Sequence, residues 1–285
     1  MTITHIIILL ATGIGVGFAS GLLGVGGGFI VTPIQYMVFT SMGVEDPMKL
    51  AIGTSLAVVL PTALSGTWRH NKKGAVWWKP AITMGICSAV AAFGGARLAI
   101  YLPEAVLKMV FGVVVLGAGI RMLIFKPPSV EQEPRSNPWL WAALAIPVGL
   151  ISSFTGVGGG IVAVPIMMLA LRFKMHTAVA TSLAMVVFTS IGGLTGYIMN
   201  GWGVSGIPSP NLGYVHIWSW LALATTSIGM AQVGAITAHR LPAKKLRYMF
   251  VLVVFFMSGR MLWAGIQDVI GPEALSLFDW LGWPI

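Results

Sequence analysis

Polar residues are sparse along this chain and cut it into apolar runs of similar length. Residues 107–124 form one such run, with Lys108 and Arg121 only near its edges, and another begins at Tyr248 and continues to about Ile266. A helix needs about 20 residues to cross the hydrocarbon core of a bilayer. Runs of that order cover residues 50–68, 79–100 and 105–125, then 177–200, 215–238 and 245–266, and each predicts a full crossing. The remaining apolar sequence is interrupted by glycine: 6–23 is followed by 29–39, and 139–154 by 161–171. The second pieces are too short to span. Each pair therefore predicts a hairpin of half-helices that enters and leaves by one face, with its glycine turn near mid-membrane.

The pattern occurs twice. Residues 24–34 read Gly-Val-Gly-Gly-Gly-Phe-Ile-Val-Thr-Pro-Ile, and residues 156–166 read Gly-Val-Gly-Gly-Gly-Ile-Val-Ala-Val-Pro-Ile. Thr-Ser-Leu-Ala stands at 54–57 and again at 181–184. Residues 74–123 align without a gap to 213–262, with 16 of 50 positions identical. Three motifs in one order mark an internal duplication rather than low-complexity coincidence. The chain divides into a first repeat over 1–125, a polar, proline-rich cytoplasmic linker over 126–138, a second repeat over 139–266 and an interfacial tail over 267–285.

Loop charges orient the halves. Arg69, Lys72, Lys73 and Lys79 surround one loop of the first half, while its counterpart at 198–213 carries no charge. The next loop reverses the bias. Arg97, Glu104 and Lys108 are mixed around position 102, whereas Arg240, Lys244, Lys245 and Arg247 cluster around position 241. Basic loops face the cytoplasm, so equivalent loops are expected on opposite faces. The fold expected is an all-α polytopic membrane protein of two inverted-topology repeats, each a glycine-broken hairpin plus three transmembrane helices. Eight crossings in a parallel repeat are the alternative.

Composition agrees with the pattern. The chain is 56% hydrophobic and only 9% charged, against roughly 25% charged residues in soluble domains. Eleven tryptophans suit interfacial belts. The net charge of +9 reflects basic loops, not a nucleic-acid surface. One cysteine, Cys87, gives neither an internal disulfide nor a cysteine metal cluster. The amino-terminal sequence lacks a basic n-region and a clear cleavage site, so no removable signal peptide is expected.

The glycine runs carry the strongest candidate chemistry. Irregular backbone inside a bilayer is tolerated where it is buried in protein or lines a watery cavity. The first amides of the helix after each run lack intrahelical partners and carry the positive end of its dipole, a site for an anion without a buried cation. The candidate binding residues are Val25, Gly26, Gly27, Gly28 and Phe29 with Val157, Gly158, Gly159, Gly160 and Ile161. Thr54, Ser55, Thr181 and Ser182 add hydroxyls that could donate to an oxyanion; the alternative is that they bond to their own or a neighbouring helix. Thr32 and Gln35 face apolar counterparts, Val164 and Met167, so any role they have is one-sided. Arg69 and His70 read as plain positive-inside anchors, with a role in gathering anions at a cytoplasmic mouth as the alternative. His176 reads as interfacial, and Arg121 and Arg260 as helix-end residues. No Gly-Lys-Ser/Thr follows the glycine runs, so they are not nucleotide loops.

The acids are Glu45, Asp46, Glu104, Glu131, Glu133, Asp268, Glu273 and Asp279, none deep in a predicted span. A proton relay or a metal path would call for intramembrane carboxylates, histidines or cysteines. Neither a metal nor a cofactor is expected.

The doubled glycine element (24–33 and 156–165), the doubled Thr-Ser-Leu-Ala element and the Leu-Pro…Arg-Met-Leu tail of each half resemble the TauE/SafE family of sulfite and organosulfonate exporters. The likeness covers about residues 14–265. It implies a secondary transporter of the bacterial inner membrane that exports sulfite or a small organosulfonate such as sulfoacetate by alternating access. The residues themselves imply only a small anion held near mid-membrane between two inverted halves. Expected partners are that anion and lipid, with no nucleic acid and a homodimer left open. A channel or an importer on the same scaffold is the alternative, as is an intramembrane enzyme using Ser65 and His70; an enzyme is not expected.

Overall fold

The computed structural model describes residues 1–124, 134–237 and 243–270, with side chains of 243–250 excepted. Ten α-helices account for nearly all of them: α1 (Ile3–Leu23), α2 (Gly28–Ser41), α3 (Pro47–Asn71), α4 (Trp78–Tyr101) and α5 (Glu104–Ile124), then α6 (Pro138–Thr155), α7 (Gly160–Leu169), α8 (Met175–Asn200), α9 (Ile217–Thr237) and α10 (Ala243–Ile270). One isolated bridge, Asn211 to His216, is the only β pairing among the described residues. The expected linker lies outside the described residues up to position 133, as do Arg240, Leu241, Pro242 and the tail beyond Ile270. The side chains of Lys244, Lys245 and Arg247 lie outside them too.

Among the described residues, seven helices are long and apolar enough to cross a membrane: α1, α3, α4, α6, α8, α9 and the Val251–Ile270 stretch of α10. The chain is a multi-pass, all-helical membrane protein. The short second arms match the sequence, with 14 residues in α2 and 10 in α7. The first arms are longer than half-helices. α1 has 21 residues and α6 has 18, each enough to cross unaided. Their caps explain the length. Thr2 and His5 form a reciprocal capping box that starts α1 at Ile3. The Asn137 side chain accepts from the Trp139 amide, and Pro138 begins α6 where a missing N–H costs nothing.

The two halves pack reciprocally. α1 lies on α9 as α6 lies on α4; α4 lies on α8 as α9 lies on α3. The self-equivalent pairs α3 with α8 and α5 with α10 meet across the centre. Their directions follow from side-chain contacts. Gly193 lies against Leu56 and Gly66 against Leu183, so α3 and α8 run antiparallel. Gly112 lies against Leu262, Gly119 against Val254 and Gly265 against Met109, so α5 and α10 do too.

Small residues let these helices approach closely. Gly17 rests on the Ser227 carbonyl, and Gly149 rests on the Ser88 carbonyl, with no room for a Cβ at either. The same two serines each bind a further helix: Thr62 on α3 shares a hydrogen bond with Ser227 (2.8 Å), and Thr189 on α8 shares one with Ser88 (2.6 Å). At the outer edge the buried Lys108 ties α5 to α10. Its Nζ lies 2.8 Å from Asp268 and 3.2 Å from Glu104, over the Tyr36 ring.

Gly149→Ala pushes a methyl into the Ser88 carbonyl and is expected to cost about 1–3 kcal/mol of stability, as other overpacking does. Chemical unfolding in detergent micelles measures it. Gly15→Ala, where nothing stands within 4 Å, serves as the neutral control.

Candidate functional site

Each glycine turn is a set of positive-φ positions. Gly24 ends α1 at φ 74° and Gly156 ends α6 at φ 70°, their amides donating to the carbonyls of Ser20 (3.0 Å) and Ser152 (2.8 Å). Gly27 (φ 80°) and Gly159 (φ 82°) stand at the amino ends of α2 and α7, and no side chain caps either end. Left-handed backbone at these two positions is what makes glycine necessary.

The structure brings the two turns together, back to back. Gly28 sits against the Gly156 carbonyl, with Val157 Cα 2.6 Å from the position a Cβ would take. Gly160 sits reciprocally against Val25, its Cα 2.8 Å away. Gly26 and Gly158 both face Val59 and Val186, which stand near the middles of α3 and α8. All ten turn candidates from the sequence, Val25–Phe29 and Val157–Ile161, are buried and adjacent.

The four hydroxyl candidates are buried too, but their hydrogen bonds run to the backbone. Ser55 Oγ donates to the Gly156 carbonyl (2.8 Å), and Ser182 Oγ donates to the Gly24 carbonyl (3.3 Å). Each serine thus holds the turn of the opposite half. Thr54 Oγ1 donates to Leu50 (2.7 Å) and accepts from the His216 amide (3.1 Å); Thr181 Oγ1 accepts from the Trp77 amide (3.1 Å). His216 and Trp77 immediately precede α9 and α4, so each threonine caps a helix across the repeat boundary. In this conformation the four hydroxyls make structural hydrogen bonds, three of them between halves through Ser55, Ser182 and Thr181 and one from Thr54 both within α3 and between halves.

The one-sided residues divide. Thr32 Oγ1 donates to the Thr155 carbonyl (3.0 Å), a further tie onto the second turn. Gln35 is fully buried and its side-chain amide has no hydrogen-bond partner. Ser65 and His70 do not pair: Ser65 donates to the Ile228 carbonyl, and His70 Nε2 lies 3.2 Å from the Gly21 carbonyl.

Sequence reasoning missed three serines. Ser20 and Ser152 stand four residues before Gly24 and Gly156, and Ser190 stands on α8. All three are 0% exposed, and none has a hydrogen-bond partner for its hydroxyl. Their signal was available for two of them, since Ser20 and Ser152 occupy one repeat position. Two cavities lie away from the turns. A groove of about 660 Å³ runs between Met1, Ile6, Met42, His216 and Trp218, and a space of about 70 Å³ lies between Tyr36, Arg260 and Gln267. Among the described residues no cluster of three or more His, Cys, Asp or Glu could hold a metal.

Ser55→Ala leaves the Gly156 carbonyl without that donor and is expected to cost about 1–3 kcal/mol. Ser182→Ala breaks a longer bond and is expected to cost less. Thermal unfolding of the two purified variants in detergent gives the order.

Comparison with known proteins places the chain. The family described as sulfite exporter TauE/SafE matches residues 9–261. A probable membrane transporter protein of Methanocaldococcus jannaschii is 33% identical over 260 residues, covering 90% of this chain and 94% of that one. A probable membrane transporter protein of Haemophilus influenzae is 25% identical over 257 residues, covering 90% and 97%. No solved structure matches.

Proposed function

The chain belongs to the sulfite exporter TauE/SafE family, and from that membership we propose that it exports small sulfur-containing anions, sulfite or small organosulfonates such as sulfoacetate, by alternating access. The observation that carries the reading is the meeting of two uncapped helix amino ends, α2 and α7, at the middle of α3 and α8. Each end contributes partial positive charge. Two of them facing one point attract an anion without a buried lysine or arginine, whose desolvation the site would otherwise have to offset.

The halves are inverted across the bilayer in this reading. Equivalent helices that pack antiparallel at the centre support it, as do the opposite charge biases of equivalent loops. Rocking of one half against the other then exposes the paired turns to either face. In this conformation the turns are in contact and covered by Val59 and Val186, as an occluded state requires. The membrane potential drives the passenger outward: a potential of 100 mV, negative inside, contributes ~2.3 kcal/mol per charge, roughly a fifty-fold gradient. A bacterial inner membrane maintains such a potential, and no coupling ion is needed.

Proteoliposomes loaded with sulfite test the function. We expect saturable, potential-driven efflux and counterflow, and efflux without saturation or counterflow would indicate a channel instead. The topology has its own test. In a Cys87→Ser background, single cysteines at Lys72 and Ser205, in equivalent loops, are expected to react with impermeant reagent from opposite faces. Labelling of both from one face would rule out inversion.

A further inference from the structure

The three unpartnered serines deserve a ligand. Hydroxyls on membrane helices ordinarily bond back to their own helix, and this chain follows the habit: Thr12 to Ile8, Thr62 to Val58, Thr155 to Ile151 and Thr195 to Ile191. Ser20, Ser152 and Ser190 do not. A fully buried hydroxyl with no partner is costly. Three around one feature imply that something else receives their hydrogens.

Their positions converge on the paired turns. Ser20 Cβ lies 3.6 Å from where a Cβ on Gly27 would stand, and Ser152 Cβ lies 3.6 Å from the matching position on Gly159. Those glycines are the amino-end positions of α2 and α7. Ser190 Oγ lies 3.2 Å from the matching position on Gly158. Val59 and Val186 pack on the neighbouring glycines of the same turns: their Cγ1 atoms lie 3.0 and 3.2 Å from that position on Gly26, and 2.7 and 2.9 Å from that on Gly158.

We propose that Ser20, Ser152 and Ser190 donate to the oxygens of an oxyanion bound between the turns, and that Val59 and Val186 occupy that space until it arrives. The assignment rests on the export reading above and adds to it the side chains that hold the anion. Three hydroxyls suit an anion presenting three oxygens, as sulfite and a sulfonate do; a halide offers one atom. The site is also lopsided. Counting from the matched Thr54 and Thr181, the residue equivalent to Ser190 is Ala63, which packs with Val59, Leu183 and Val186 in one apolar cluster. An apolar wall opposite the third hydroxyl receives the lone-pair side of sulfite or the carbon of a sulfonate. The two valines then set the size of that carbon substituent.

The test uses the full chain in two formats. In detergent, sulfite and sulfoacetate are expected to raise the thermal unfolding midpoint of the parent, and chloride at equal ionic strength is not. Ser20→Ala, Ser152→Ala and Ser190→Ala are expected to keep or raise the ligand-free midpoint, since each removes an unpaired hydroxyl, and the triple variant is expected to lose the sulfite response. In proteoliposomes each single variant is expected to raise KM for sulfite about tenfold. Binding that survives in the triple variant, a lowered ligand-free midpoint with unchanged KM, or a parent indifferent to both oxyanions would overturn the assignment. Oxyanion binding that depends on the serines, without flux in vesicles, would keep the site and reject export.

Discussion

Everything in this structure follows from one constraint: a helix broken where the chain is buried must find partners for the backbone it frees. Water is absent, and an unpaired carbonyl or amide in hydrocarbon costs several kcal/mol by order of magnitude. Here each half supplies the partner for the other. The Gly156 carbonyl is met by Ser55 and the Gly24 carbonyl by Ser182, while Thr54 and Thr181 receive the amides that open α9 and α4. Neither broken hairpin is satisfied alone. The duplication is therefore a structural necessity, and the interface between halves is where the irregular backbone can exist.

Reciprocity extends outward from that centre. Glycine against a serine carbonyl, with a threonine hydroxyl on the same serine, recurs at α1 with α9 and at α6 with α4. Such contacts rely on close van der Waals approach, because lipid offers no hydrophobic drive between helices. Departures from the symmetry then stand out. Thr32 ties α2 to the second turn while Val164 has no hydroxyl to reciprocate, Gln35 is buried with its amide unpaired where Met167 is apolar, and Ser190 has the apolar Ala63 as its repeat counterpart.

The polar groups also separate into two kinds by what they touch. Ser55, Ser182, Thr54 and Thr181 are committed to backbone and hold the turns in place. Ser20, Ser152 and Ser190 are committed to nothing. The first group makes a rigid frame around the amino ends of α2 and α7, and the second leaves three buried hydroxyls beside it. The valines at the centre give the ligand-free space an apolar occupant, so no unpaired charge is buried there.

Much was legible in the residues alone. Apolar length gave the membrane class, because only helices of that length satisfy their backbone in lipid. The doubled Gly-Val-Gly-Gly-Gly located both turns, because left-handed backbone at Gly27 and Gly159 leaves glycine little competition. The lengths of α1 and α6 were underestimated, since the caps at Thr2 and Asn137 lie in polar sequence outside the apolar runs. The hydroxyls could not be sorted from sequence for a different reason. Thr-Ser at 54–55 and 181–182 and the serines at 20 and 152 are equally repeated, and sequence cannot say which pair spends its hydrogens on backbone. That depends on which residue of the other half lies within hydrogen-bonding distance, across 101 positions for Ser55 and 158 for Ser182, and only the tertiary fold brings those atoms together.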